Sequence, residues 1–228
     1  MPAIEVFRVD GAGCPPGLLE MLDGAERERD ALAARHGRRG YGAGRVALRL
    51  LLGARMDLPP ARVALLRHCA SCGRDGHGKP ALASAAPGAN LDLGFSIATA
   101  SGVTLIAVVR RGAVGVDLER VPPTGPLTWP RPCFSARERQ ELSRLGPRRL
   151  PEAAARSWVR KEAVAKCVGR GLAMPLRGVE VSGAPQDWRL PDPSIEVADV
   201  ELTLPFVGAV ARDQPGPVPV VKDWSWNR

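Results

Sequence analysis

The sequence predicts an α+β protein of two lobes, and two observations carry that expectation. Candidate strands and helices follow one another without strict alternation, which argues against a doubly wound parallel sheet. A proline-rich stretch from Pro122 to Pro132 then breaks the 228 residues near the middle. Lobes over 1–120 and 121–228 are therefore expected.

Ile4 to Val9 reads as a short strand and Gly11 to Pro16 as a turn. Ala25 to Arg35 is a charged helix. Tyr41 to Arg55 is a stronger one, with Val46, Leu48, Leu51 and Leu52 on its apolar side, stopped by Pro59-Pro60. Val63 to Leu66 reads as a strand and Cys69 to Pro80 as a turn-rich loop. Val103 to Val109 is apolar and β-branched, hence a buried strand; Arg110-Arg111-Gly112 connects it tightly to a second, Ala113 to Glu119. Beyond the proline-rich stretch, Ser135 opens a helix with Glu138 placed for a capping box. Glu152 to Val168 forms the next helix, closed by Gly169 and Gly171. Val179 to Val181, Glu196 to Leu204 and Val207 to Val210 complete the expected strands.

A hydrophobic fraction of 45% with no apolar run near eighteen residues excludes a membrane-spanning helix. The start, MPAIEVFRVDG, lacks the basic and apolar regions of a secretory signal, and five scattered cysteines form no disulfide framework; a cytoplasmic protein is expected. The formal net charge of +8 favours polyanionic partners. Four Phe and one Tyr, with no aromatic–basic interleaving, leave little to stack bases, so nucleic acid is not expected.

Two segments could do chemistry. In Val114-Gly115-Val116-Asp117-Leu118-Glu119 the strand period places Val114, Val116 and Leu118 on one face and Gly115, Asp117 and Glu119 on the other. Two carboxylates beside a glycine suit a hard divalent ion such as magnesium. Taken alone, an ordinary solvated strand end is the simpler reading. In the later helix Trp158, Glu162 and Lys166 recur every fourth residue and share one stripe. Glu162 could be a third metal ligand or a base and Lys166 a phosphate contact; a surface Glu–Lys pair beside a core tryptophan is again simpler for that helix by itself.

Together the two segments resemble the signature of the Sfp-type 4'-phosphopantetheinyl transferases, a G-x-D-x-E strand followed roughly forty residues later by W-x-x-K-E-A-x-x-K. Gly115, Asp117, Glu119, Trp158, Lys161, Glu162, Ala163 and Lys166 fill every fixed position. Gly78-Lys79-Pro80, after His77, is similar to the family's G-[KR]-P loop near coenzyme A. Phe134-Ser135-Ala136-Arg137-Glu138 is similar to its F-S-x-x-E segment. Arg74, and Arg27 or Arg29, stand where relatives carry further basic contacts. The family's F-N-x-S-H falls on Phe95-Ser96-Ile97-Ala98-Thr99, so Thr99 replaces a phosphate-binding histidine. Loss of such a charge-assisted contact costs about 1.5–3 kcal/mol if nothing replaces it.

The resemblance implies two similar α/β lobes related by a pseudo-twofold, with coenzyme A as co-substrate in the cleft. It implies Mg2+ held by Asp117, Glu119 and Glu162, and catalysis by Glu162 and Lys166. It further implies coenzyme A contacts from Arg27, Arg74, Lys79, Thr99, Asp117 and Lys166. A monomer would transfer phosphopantetheine to a serine of an apo acyl or peptidyl carrier protein, releasing 3',5'-ADP. A non-catalytic relative that binds coenzyme A or a carrier is the alternative, because of Ala98-Thr99.

Two features stand apart from this signature. Cys69-Ala70-Ser71-Cys72, with His68 and His77 nearby, could hold zinc, but no second C-x-x-C exists and a plain surface loop is expected. Trp224-Ser225-Trp226 is expected to cap the core of the second lobe.

Overall fold

The computed structural model describes residues 4–69, 71–83, 92–123 and 131–226; of the proline-rich stretch, 124–130 lie outside the described residues. The chain is mixed α and β. Strands β1 (Glu5–Asp10), β4 (Leu93–Ala100), β5 (Val103–Arg110) and β9 (Val221–Asp223) form one sheet in the order β4-β5-β1-β9. Strands β6 (Val114–Arg120), β7 (Glu196–Val200) and β8 (Phe206–Arg212) form a second, ordered β6-β8-β7, and β2 (Leu65–His68) pairs with β3 (Asp75–Leu82) as a hairpin. Among the described residues four α-helices accompany them: α1 (Gly24–Arg35), α2 (Tyr41–Met56), α3 (Ala136–Ser143) and α4 (Leu150–Val168).

The period of each strand explains how these pieces stack. Phe7 and Val9 of β1, with Ile106 and Val108 of β5, pack on Ala47, Leu48, Leu51 and Leu52 of α2. The opposite set, Val6, Leu105, Ala107 and Val109, meets Val114, Val116, Leu118 and Val210 of the second sheet. The far face of that second sheet, Val207, Ala209 and Ala211, then packs on Val159, Ala163 and Val164 of α4. Helix, sheet, sheet and helix thus lie in four layers joined by three apolar seams. Each half of the chain lends a strand to the other's sheet: β6 precedes residue 121 yet pairs with β8 from Val114↔Arg212 to Arg120↔Phe206, while β9 runs parallel to β1.

Several elements differ from the sequence expectations. The expected loop from Cys69 to Pro80 is half strand, because β3 zips onto β2 (Leu65↔Leu82, Arg67↔Pro80) despite its glycines. Val179 to Val181 makes only an isolated bridge, Glu180 with Arg189. The tryptophan tail caps the first sheet rather than the second lobe. β9 delivers it beside β1, where Trp224 stacks edge-on to Phe7 and Trp226 donates from Nε1 to the Asp10 carbonyl at 2.9 Å. Among the described residues no helix is long and apolar enough to cross a membrane.

Two contacts fix α4, the helix on which the candidate site depends. Lys161 is fully buried; its Nζ meets Glu138 Oε2 at 2.8 Å, donates to the Leu176 carbonyl at 2.9 Å and bonds the Val179 carbonyl. Glu138 is equally buried, closes the capping box of α3 with Ser135 and accepts from the Val181 amide. A buried ion pair needs this kind of full satisfaction to offset its desolvation. On the opposite side α4 presses on Gly115. A Cβ there would stand 1.9 Å from the Ala163 carbonyl oxygen and 2.4 Å from the Cys167 amide nitrogen. The glycine's missing side chain is therefore filled by helix backbone.

Gly115→Ala should cost about 3 kcal/mol, at the upper end of ordinary overpacking, since backbone rather than a flexible side chain must yield. Chemical denaturation of the two proteins side by side measures it.

Candidate active site

The approach at Gly115 turns the carboxylate face of β6 toward the Trp158–Glu162–Lys166 stripe of α4. Lys166 Nζ lies 2.6 Å from Asp117 Oδ1 and donates to the Val116 carbonyl at 3.1 Å. Trp158 lies beside the Glu119 carboxylate. The signature residues of strand and helix are thus one cluster.

β6 is an edge strand, paired on one side only, and an unpaired strand edge must find other partners. Here those partners are side chains of the site. Lys79 donates to the Val114 carbonyl at 2.9 Å, Lys166 to the Val116 carbonyl, and the Val116 amide donates to Ser96 Oγ at 3.0 Å. The open edge therefore positions two ammonium groups beside the acidic face.

The electrostatics are those of like charges crowded in a dry place. Asp117 is pushed up by burial, against the pull of Lys166. Glu119 is pushed up to about 7 by burial and by the Asp117 carboxylate. Glu162 is likewise pushed up to about 7 by burial, then by Asp117. Asp117 Oδ2 and Glu162 Oε1 are buried with no hydrogen-bond partner among the described residues. Among the described residues the three carboxylates do not bring ligand atoms within 4.8 Å of one another, and Asp117 Oδ1 is engaged by Lys166 instead. Two orphaned buried oxygens and three repelling acids fit a hard divalent cation, which would satisfy the oxygens and relieve the repulsion. Asp117, Glu119 and Glu162 are the residues that would hold it.

Two cavities flank this cluster. One of about 440 Å3 is lined by Lys79, Lys166, Glu162, Arg45, Arg67 and Arg170, among others. The other, of about 670 Å3, is lined by Thr99, Glu119, Arg29, Arg38, Arg39 and Tyr41, among others. Cations on the walls and acids at the shared centre suit a phosphate-bearing ligand carrying a metal ion.

The remaining sequence candidates lie further out. Thr99 is exposed and its hydroxyl is bonded to Thr104 Oγ1 at 2.9 Å. Arg74 is exposed in the turn before β3. Arg27 is bonded to the Leu22 carbonyl at the start of its own helix, and Arg29 reaches the Gly76 carbonyl instead. Arg45 was not anticipated from the sequence. It is 6% exposed, lies over the Tyr41 ring at 5.1 Å and pairs with no carboxylate among the described residues. Burial lowers its pKa to about 10. Its neighbour on the same helix, Arg49, is by contrast neutralised by Glu26 at 2.8 Å.

A pH dependence follows from the glutamates. Folded pKa values near 7 against 4.5 for the free side chain mean that the native state binds more protons in between. Chelator-treated protein should hold this stabilisation fully below about pH 4.5 and lose it as pH rises through 7. Added magnesium should raise the melting temperature more above pH 7 than below it. Glu162→Gln should flatten both trends in the same thermal scans.

Residues 113–189 match the family model of the 4'-phosphopantetheinyl transferase superfamily, and that span holds β6, α3 and α4. The chain is also similar to the 4'-phosphopantetheinyl transferase HetI of Nostoc sp., 30% identical over 151 residues, which make up 66% of this chain and 60% of that protein. The superfamily match thus covers the strand and helix that form the acidic cluster, and over that span the chain is similar to the 4'-phosphopantetheinyl transferase superfamily.

Proposed function

We propose that this protein is an Sfp-type enzyme that transfers the 4'-phosphopantetheine arm of coenzyme A to a serine of an apo acyl or peptidyl carrier protein, releasing 3',5'-ADP. The observation that carries the reading is the Asp117–Lys166 contact at 2.6 Å, which joins the acidic strand to the W-x-x-K-E-A-x-x-K helix beside two unpaired buried carboxylate oxygens. On this reading the two lobes divide near residues 120 and 121, with β6 passed to the α4-backed sheet and β9 to the α2-backed one, and a monomer works in the cytoplasm.

Asp117, Glu119 and Glu162 would hold Mg2+. That ion supplies Lewis-acid polarisation of the coenzyme A pyrophosphate. Lys79 and Lys166, tethered to consecutive outward carbonyls of β6, bind and orient the phosphates. Arg45 adds a buried positive charge to the same cavity wall. Glu162, whose Oε1 is buried without a hydrogen-bond partner among the described residues, is placed to take the proton of the attacking serine hydroxyl. Lys166 then neutralises charge on the departing 3',5'-ADP. Placement and charge neutralisation do most of the work in such a transfer. The net charge of +8 would steer an acidic carrier to the cleft.

Thr99 favours a second reading, a relative that binds coenzyme A or a carrier without transfer. It offers an uncharged hydroxyl where a charged contact is expected, and that hydroxyl is engaged with Thr104.

Intact-protein mass spectrometry of apo carriers incubated with the protein, Mg2+ and coenzyme A separates the two. A gain of one phosphopantetheine is expected, with turnover reduced roughly 10²-fold or more by Asp117→Ala, Glu162→Ala or Lys166→Ala. Coenzyme A binding with no mass gain on acyl or peptidyl carriers would select the non-catalytic reading.

A further inference from the structure

The Cys-x-x-Cys loop is not the plain surface loop expected from sequence. Cys69, Cys72 and His77 bring one ligand atom each to within 4.8 Å of one another. Cys72 Sγ lies 3.2 Å from His77 Nε2. Zinc bonds of about 2.3 Å to sulfur and 2.0–2.1 Å to nitrogen set tetrahedral ligand atoms roughly 3.5–4 Å apart, so the cluster is close to the size such an ion requires.

The backbone around it is shaped as a knuckle. The Cys69 amide donates to the Arg74 carbonyl at 2.9 Å and the Gly73 amide to the Cys69 carbonyl at 2.8 Å, closing the turn twice. Gly73 sits at φ 69°, a left-handed conformation that glycine adopts without strain. His77 sits in the irregular stretch of β3 between the pairs Arg67↔Pro80 and His68↔Asp75, and Gly78 permits the close approach there: a Cβ would stand 2.6 Å from the His68 carbonyl oxygen.

We propose that Cys69, Cys72 and His77 form a site for a zinc-type divalent ion, separate from the carboxylate cluster, with the fourth position open to solvent. Two thiolates and an imidazole select zinc over the magnesium that carboxylates favour. The ion cross-links the 69–74 turn to β3 two residues before Lys79. Cys69 and His77 lie on the wall of the same cavity as Lys79, Glu162 and Lys166. The ion therefore anchors the strand that delivers Lys79 to the Val114 carbonyl.

The test is metal analysis of the full-length protein together with its cobalt(II) spectrum, neither of which requires activity. After reconstitution with zinc and removal of excess, about one equivalent should remain. The cobalt form should show thiolate charge-transfer and intense tetrahedral d–d bands. Cys69→Ser and Cys72→Ser should each abolish those bands, and His77→Ala should weaken zinc binding about tenfold or more, all with unchanged circular dichroism. Asp117→Ala should leave them intact. Absence of retained zinc and of the cobalt bands in protein whose thiols are chemically free would overturn the proposal. So would a Cys69–Cys72 disulfide that persists under mild reduction, or zinc binding indifferent to both serine variants.

Discussion

The site hangs on the closeness of one helix to one strand. Because position 115 has no side chain, α4 can lie with its backbone against β6, and side chains on either side of that contact meet at short range. A methyl group's worth of extra separation would carry Lys166 out of hydrogen-bond reach of Asp117, now 2.6 Å away, and would loosen Glu162 from the field of the strand acids. The electrostatic strain of three acids in a dry seam is thus purchased by a packing contact.

A second constraint holds α4 from its far side. Lys161, one residue before Glu162, is spent wholly on structure: its ammonium is shared among Glu138 and two carbonyls. Neighbouring charges in the same short motif therefore have opposite fates. Lys161 and Glu138 neutralise each other in the core, whereas Glu162 and Asp117 keep oxygens without partners. Removal of either member of the buried pair would strand a charge at a cost of about 3–5 kcal/mol, so their role is to fix the helix in place rather than to add net stability.

What could be read from the sequence was whatever rests on local period. The alternation in Val114–Glu119 placed both acids on one face, the four-residue spacing put Trp158, Glu162 and Lys166 on one stripe, and the Ser135–Glu138 capping box formed as expected. Features set by distant partners were hidden. β3 looked like a loop because its glycines conceal a pairing decided by β2; β9 is three residues long and exists through β1. Arg45 showed no sign of burial because helical period says which face it shares, not that Tyr41 and the β2–β3 hairpin would enclose it. The glycine beside the acids was read as room for an ion, when it is room for a helix.

The strand order also has a consequence in time. β1 is among the first elements to be synthesised, yet its outer neighbour β9 ends at Asp223 and brings Trp224 onto Phe7 only then. β6, similarly, waits for β8, some ninety residues downstream. A chain still emerging from the ribosome therefore holds an unfinished sheet edge and an uncovered aromatic until β9 is free. Such long-range closure slows folding. The growing chain would be most prone to aggregation just before β9 docks.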